Sequence, residues 1–184
     1  MMFWLIVADE IGFWLLIISG LVCRYFFKKE KLSFWLLTGT PILDFLLLVF
    51  TYFDLRNGRP ASFVHVLAAV YIGVSVAFGP SLIRWADRQF AYRFAGGAKP
   101  VKQKTFGRVR ALQERRGWYR HLLAWTIGSG LMAALYLLGD RPEATELFNS
   151  SILRWGIILA ADFVISFSYT LFPKTASSQD EDYR

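Results

Sequence analysis

The stretch Leu32-Ser33-Phe34-Trp35-Leu36-Leu37-Thr38-Gly39-Thr40-Pro41-Ile42-Leu43-Asp44-Phe45-Leu46-Leu47-Leu48-Val49-Phe50-Thr51-Tyr52-Phe53 holds one charged residue, Asp44, in 22 positions. A helix crossing a hydrocarbon layer needs about 20 mostly apolar residues. This run meets that length and is apolar all round, whereas a surface helix of a soluble protein is apolar on one stripe only. Four more runs lie around it, at 3–27, 61–83, 122–138 and 152–172. The first carries Asp9 and Glu10 ahead of its most apolar part, so those acids must lie near an interface or face protein. It lacks a basic start and a small-residue cleavage site, and so reads as a retained span rather than a signal peptide. The fourth is short, but Trp118, Tyr119 and Tyr136 can extend it at its two interfaces. The expected fold class is therefore all-α, an integral membrane bundle of five transmembrane helices.

Composition supports this. Hydrophobic residues make up 55% of the chain and mean hydropathy is +0.37, yet the net charge is +7. The charge is gathered into short stretches between long uncharged runs, as in a chain whose solvent is lipid. Basic loops beside apolar spans account for the high pI, so no nucleic-acid partner is expected. The lone Cys23 cannot form an internal disulfide.

Lys and Arg set the orientation. Arg24, Lys28, Lys29 and Lys31 separate the first two runs, and eleven basic residues from Arg84 to Arg120 separate the third and fourth. With five spans and alternating sides, one side collects seventeen basic residues and the other four. The richer side should be cytoplasmic. This predicts a multi-pass plasma-membrane protein with its N-terminus outside and its C-terminus inside. Trp4, Tyr52 and Trp155 fall near outer ends; Trp35, Trp85 and Trp118 fall near inner ends. The tail 173–184 is polar, with Asp180-Glu181-Asp182, and reads as disordered.

Inside the spans, Asp44 and Asp162 need a reason to be there. Counted from the inner ends of their helices, both come out roughly 15–18 Å deep at about 1.5 Å per residue. A carboxylate there costs ~2.5–3.5 kcal/mol on insertion scales and should face the bundle interior. Thr40, Asp44 and Thr51 share one stripe, and Asp162, Ser166 and Tyr169 another, so a polar core between the second and fifth spans is expected. It would hold an ion or proton, or simply keep helices in register. His65, near the outer end of the third span, would accept a proton or hydrogen-bond to a neighbour. No second ligand stands at metal spacing, so neither a metal nor a cofactor is expected. Pro41 and Pro80 fall inside apolar runs, where threonines can satisfy freed carbonyls.

Small residues recur at packing spacing: Ala69, Gly73 and Ala77 in the third run, Ser129 with Ala133 and Gly130 with Ala134 in the fourth. They fit a tight bundle or a homodimer equally. After the third run, Ile83, Ala86, Phe90 and Phe94 form an apolar stripe, with Arg84 and Arg88 on another face and Arg93 beyond, before Gly96-Gly97. This predicts one interfacial amphipathic helix whose arginines touch anionic headgroups. It opens a basic cytoplasmic loop, 84–120, with a short helical stretch near Val109 to Arg116, suited to lipid or to a membrane partner protein.

Asp54-Leu55-Arg56-Asn57-Gly58 with Ala61 partly resembles the CDP-alcohol phosphotransferase signature, but Asn57 replaces its second acid and the downstream acids are missing. No phosphate-binding loop or nucleophile elbow occurs. The whole-chain layout, with Thr40-Pro41-Ile42-Leu43-Asp44 and the run Ala68-Ala69-Val70-Tyr71-Ile72-Gly73-Val74-Ser75-Val76-Ala77-Phe78-Gly79, resembles small bacterial integral membrane proteins of the YmcC-like kind. The resemblance implies a bacterial plasma membrane and brings no activity or site residue. The expected function is that of a non-enzymatic scaffold or accessory component. The alternative is a small proton- or ion-linked transporter or channel using Asp44 and Asp162.

Overall fold

The computed structural model describes residues 2–58, 60–100, 105–139 and 144–173. They form six helices and, among the described residues, no strand: α1 (Met2–Tyr25), α2 (Glu30–Thr38), α3 (Thr40–Arg56), α4 (Phe63–Phe94), α5 (Gly107–Gly139) and α6 (Ala144–Leu171). The expected disordered tail lies outside the described residues apart from Pro173. Among the described residues, three helical stretches are long and apolar enough to cross a membrane: Trp4–Tyr25, Phe63–Phe94 and Glu146–Leu171.

The second apolar run is not one helix. It divides at Gly39 into α2 and α3, of nine and 17 residues, each short of a full crossing. The cause is local. Pro41 has no N–H to offer the Leu37 carbonyl, and the Thr40 hydroxyl donates to that carbonyl instead, at 3.1 Å. Gly39 keeps a right-handed helical φ of −69°, so α3 starts directly from α2.

The expected basic loop is mostly helix. Nothing between Ile83 and Phe94 stops a helix, so α4 runs on to Phe94 and ends at Ala95, where Gly96 turns the chain at φ +68°. The separate interfacial helix is thus a continuation of α4. Most of its apolar stripe packs on α1: Ala86 is buried with Phe13, Ile17 and Leu21, and Ile83 and Phe90 pack against them, while Phe94 stays exposed. Arg84, Arg88 and Arg93 stay exposed on the remaining faces. Gly107 to Arg120 likewise forms the first half of α5, whose 33 residues span about 50 Å at 1.5 Å per residue.

Close backbone approach holds the centre. A Cβ on Gly73 of α4 would press into the Ala124 carbonyl of α5, and one on Gly128 would meet the Trp155 ring and the Ala69 carbonyl. The Ala69–Gly73 stripe is therefore occupied within the chain, which removes it as a face for a second copy. The sequence reading missed Ala124 and Gly128, the α5 residues that receive it. A Cβ on Gly130, one of the small residues it did name, would meet nothing within 4 Å beyond its own helix among the described residues.

The α5–α6 register is offset from the apolar pattern. Trp118 Nε1 donates to the Leu159 carbonyl at 3.1 Å and Trp125 Nε1 to the Ile152 carbonyl at 3.2 Å. The Arg110 guanidinium lies 5.5 Å from the Tyr169 ring centre. The three rungs fix an antiparallel pair in which the apolar half of α6 lies beside the basic half of α5. Trp155, expected near an outer end, sits against Gly128 in the middle of α5.

Candidate functional site

Both histidines of the chain face an aspartate on a neighbouring helix. His65 stands in the first turn of α4 and Asp54 in the last turn of α3, across the turn that joins them. His65 Nε2 lies 3.2 Å from Asp54 Oδ2, with the ring almost fully buried. Its other nitrogen is used as well. The Ser62 backbone N–H donates to Nδ1 at 3.1 Å, and the Ser62 hydroxyl lies 2.9 Å from it. Ser62 and His65 form a reciprocal helix cap, with imidazole in the place usually held by Glu or Gln. Because Nδ1 accepts from an N–H, the ring proton belongs on Nε2, which donates to Asp54.

His121 is built differently. It stands on α5 just after Arg120 and just before the apolar run begins at Leu122. Its Nδ1 lies 2.6 Å from Asp162 Oδ2 of α6, and its ring packs on Phe78 of α4 at 5.1 Å between centres. Ser166, one turn on along α6, donates to Asp162 Oδ1 at 3.4 Å. Asp162 accepts through both oxygens, so the His121 proton belongs on Nδ1 and Nε2 is left with no partner among the described residues. The imidazole is 49% exposed and the carboxylate 27%. The arrangement can pass a proton between the surroundings and Asp162 through one ring, and it can equally orient α5 against α6.

These distances place the sequence-derived candidates. Asp162 and Ser166 are together, as their shared stripe implied, but their partner is His121 of α5, a residue the sequence reading did not single out. The offset register puts Asp162 level with the start of the apolar run of α5 rather than with its middle. Tyr169 lies two turns away under Arg110, whose guanidinium also bonds Glu114 at 2.6 Å. Thr40 is buried and occupied by the Leu37 carbonyl. Thr51 is buried and donates to the Leu47 carbonyl at 2.8 Å. The Asp44 side chain lies outside the described residues. Its helix, α3, packs on α1, α4 and α5, and α6 packs on α5 and α4; among the described residues α3 and α6 share an apolar cluster, with Leu55 and Phe148, but no extended interface along their polar stripes. Arg84 donates to the Ser81 hydroxyl at 3.2 Å. Of the acids in α1, Glu10 is exposed and accepts from Trp14 at 2.8 Å, whereas Asp9 is buried on the stripe of Ile6, Phe13 and Ile17.

Sequence comparison fits this architecture. The chain is 41% identical over 172 residues to the uncharacterized membrane protein YmcC of Bacillus subtilis (strain 168), covering 93% of this chain and 92% of that one. This chain belongs to the YmcC family. Like its YmcC relative, it is a membrane protein, and the apolar helices described above are of the length that assignment requires. No protein-family model matches the chain, and no solved structure does.

Proposed function

We propose that this YmcC family member is a non-enzymatic component of the bacterial plasma membrane, a scaffold that docks a partner on a rigid basic platform at the cytoplasmic surface. In this reading the chain crosses five times, with α2 and α3 together making one crossing, the N-terminus outside and the C-terminus inside. One observation carries it. The basic residues from Arg108 to Arg120 stand on the same unbroken helix as the fourth apolar run. Long helices held by tertiary contacts keep their side chains at fixed spacing, so the cations present a defined surface rather than a loose charge cloud. The exposed apolar residues of α6 beside them, Val164, Ile165 and Leu171, complete an amphipathic end suited to the headgroup layer.

The test is photo-crosslinking in native membranes from exposed Leu112 and Gln113 of α5. A reproducible protein adduct, lost when Arg115 and Arg116 are both changed to Glu, is the expected result. Adducts to lipid alone would remove the scaffold reading.

His121 with Asp162 supports a second reading, a proton-linked transporter or channel. It predicts dye-reported proton flux in liposomes carrying the protein, lost in Asp162→Asn and in His121→Ala. Absence of flux in folded wild type would dispose of it.

A further inference from the structure

A groove separate from that platform lies where α1 ends and α2 begins. It encloses about 630 Å³ and is lined by Arg24, Lys31, Ser33 and Thr38 with apolar walls that include Trp35 and Ile83. A second hollow, over Lys28, Lys29 and Lys31, adjoins it at the N-terminus of α2. Three features of the groove point to one kind of occupant.

The first is charge. Arg24, Lys28, Lys29 and Lys31 surround the two hollows against a single lining carboxylate, Glu30. Arg24 is only loosely committed elsewhere, at 3.4 Å from Asp87. The second is the helix end. The N-cap residue of α2 is Lys29, whose side chain makes no capping bond, so the first-turn N–H groups have no side-chain acceptor. Such an end favours an anion through its free donors and its dipole. The third is Ser33. It is 2% exposed and lines the groove, yet its hydroxyl has no hydrogen-bond partner among the described residues. Its hydroxyl is free to donate to an acceptor that enters from the groove.

The walls say what carries that acceptor. Phe34, Trp35, Leu37 and Ile83 offer apolar surface next to the cations. Trp35 is largely exposed, an indole placed as indoles are at the headgroup level of a bilayer. A free anion would use the cations and ignore that wall. A glycerophospholipid uses both, with its phosphate among Arg24, Lys31 and Ser33 and an acyl chain along Trp35 and Leu37.

We infer that the α1–α2 groove is a binding site for one anionic phospholipid of the cytoplasmic leaflet. The lipid ties the turn between the first two helices to the membrane surface and leaves the α5 platform free.

The test is native mass spectrometry of the full chain released from nanodiscs, titrated with phosphatidylglycerol or with phosphatidylcholine. Wild type should retain one phosphatidylglycerol, with an affinity at least about tenfold above that for phosphatidylcholine, as expected when charge-assisted bonds are at stake. Lys31→Gln and Ser33→Ala should each weaken retention, the double variant by about tenfold or more. Lys31 is exposed, so its variant tests binding without threatening the fold. Equal retention of the two lipids would overturn the site, and that arm needs no variant. So would retention that survives the double variant but is lost in Arg115→Gln/Arg116→Gln, since the lipid would then belong to the platform. Competition by soluble glycerol 3-phosphate as strong as by the lipid would show a small-anion site instead.

Discussion

His65 with Asp54 and His121 with Asp162 are the same two side chains set into different surroundings. The first pair closes a helix hairpin: both ring nitrogens are engaged, the ring is buried, and the serine that holds it also begins α4. The second joins two long helices at the edge of an apolar run, with one ring nitrogen open and nearly half the imidazole exposed. A pair that uses every donor and acceptor has no spare valence for a ligand or proton, so its value is structural. A pair with an open nitrogen has a free hand. The contrast assigns architecture to His65 and reserves any chemistry for His121.

The largest effect should come from removing the structural pair. His65→Ala empties the site of a buried ring, takes one partner from the Asp54 carboxylate and removes half of the α4 cap, and losses of this kind run to about 3 kcal/mol. His121→Ala removes a partly exposed pair and should cost under about 1 kcal/mol. Unfolding of each variant in mixed micelles, followed by circular dichroism, reads the difference. Equal losses would break the contrast.

Next in size is the frame that holds the second pair. Trp118→Phe and Trp125→Phe keep an aromatic ring of smaller size and delete the two indole N–H bonds to α6, at about 1 kcal/mol each besides the lost ring volume. If those rungs set the register, the double variant should also loosen His121 from Asp162, seen as a change in the imidazole ¹⁵N shifts of His121 and none in those of His65. Shifts that move together, or not at all, would mean that the register is held elsewhere, most simply by Gly73 and Gly128.

How much of this was written in the sequence depends on the range of the interaction. The helical class and the apolar runs were legible because hydrophobicity is a local property of the chain. The break at Gly39 was half legible: Thr40-Pro41 announced a freed carbonyl, and the threonine does satisfy one, but only the backbone shows two helices. The basic segment was partly legible: its apolar stripe announced helix up to Phe94, but helix fills 107–120 as well, because a high density of arginine signals topology and says little about whether the backbone is coiled. Asp162 could be picked out as a costly acid, and Ser166 as its neighbour one turn on. Its partner could not, because His121 stands 41 residues away and meets it only through an α5–α6 register offset from the apolar pattern. The rule that could have found it is chemical: two histidines, each beside a run edge, each needing an acid on another helix.

A smaller effect separates the pairs chemically. Diethyl pyrocarbonate attacks an unprotonated, accessible imidazole nitrogen. His121 offers Nε2, while both nitrogens of His65 are held in the buried cap. Peptide mapping after brief treatment of the folded protein should find His121 modified and His65 modified only after unfolding. Modification of both at once would show that the hairpin cap opens readily.

The smallest effect is the most discriminating. Ser62→Ala deletes the hydroxyl near Nδ1 but keeps the backbone N–H that donates to it at 3.1 Å. The ring proton stays on Nε2 and the contact with Asp54 survives. The loss should then be that of one cap, roughly 0.5–1 kcal/mol, well short of the loss in His65→Ala. If the two variants were equally unstable, the cap would account for the whole effect and the Asp54 contact would contribute nothing. The hairpin pair would then be as weakly held as the pair on α5, and the argument for reserving chemistry to His121 would rest on its exposure alone.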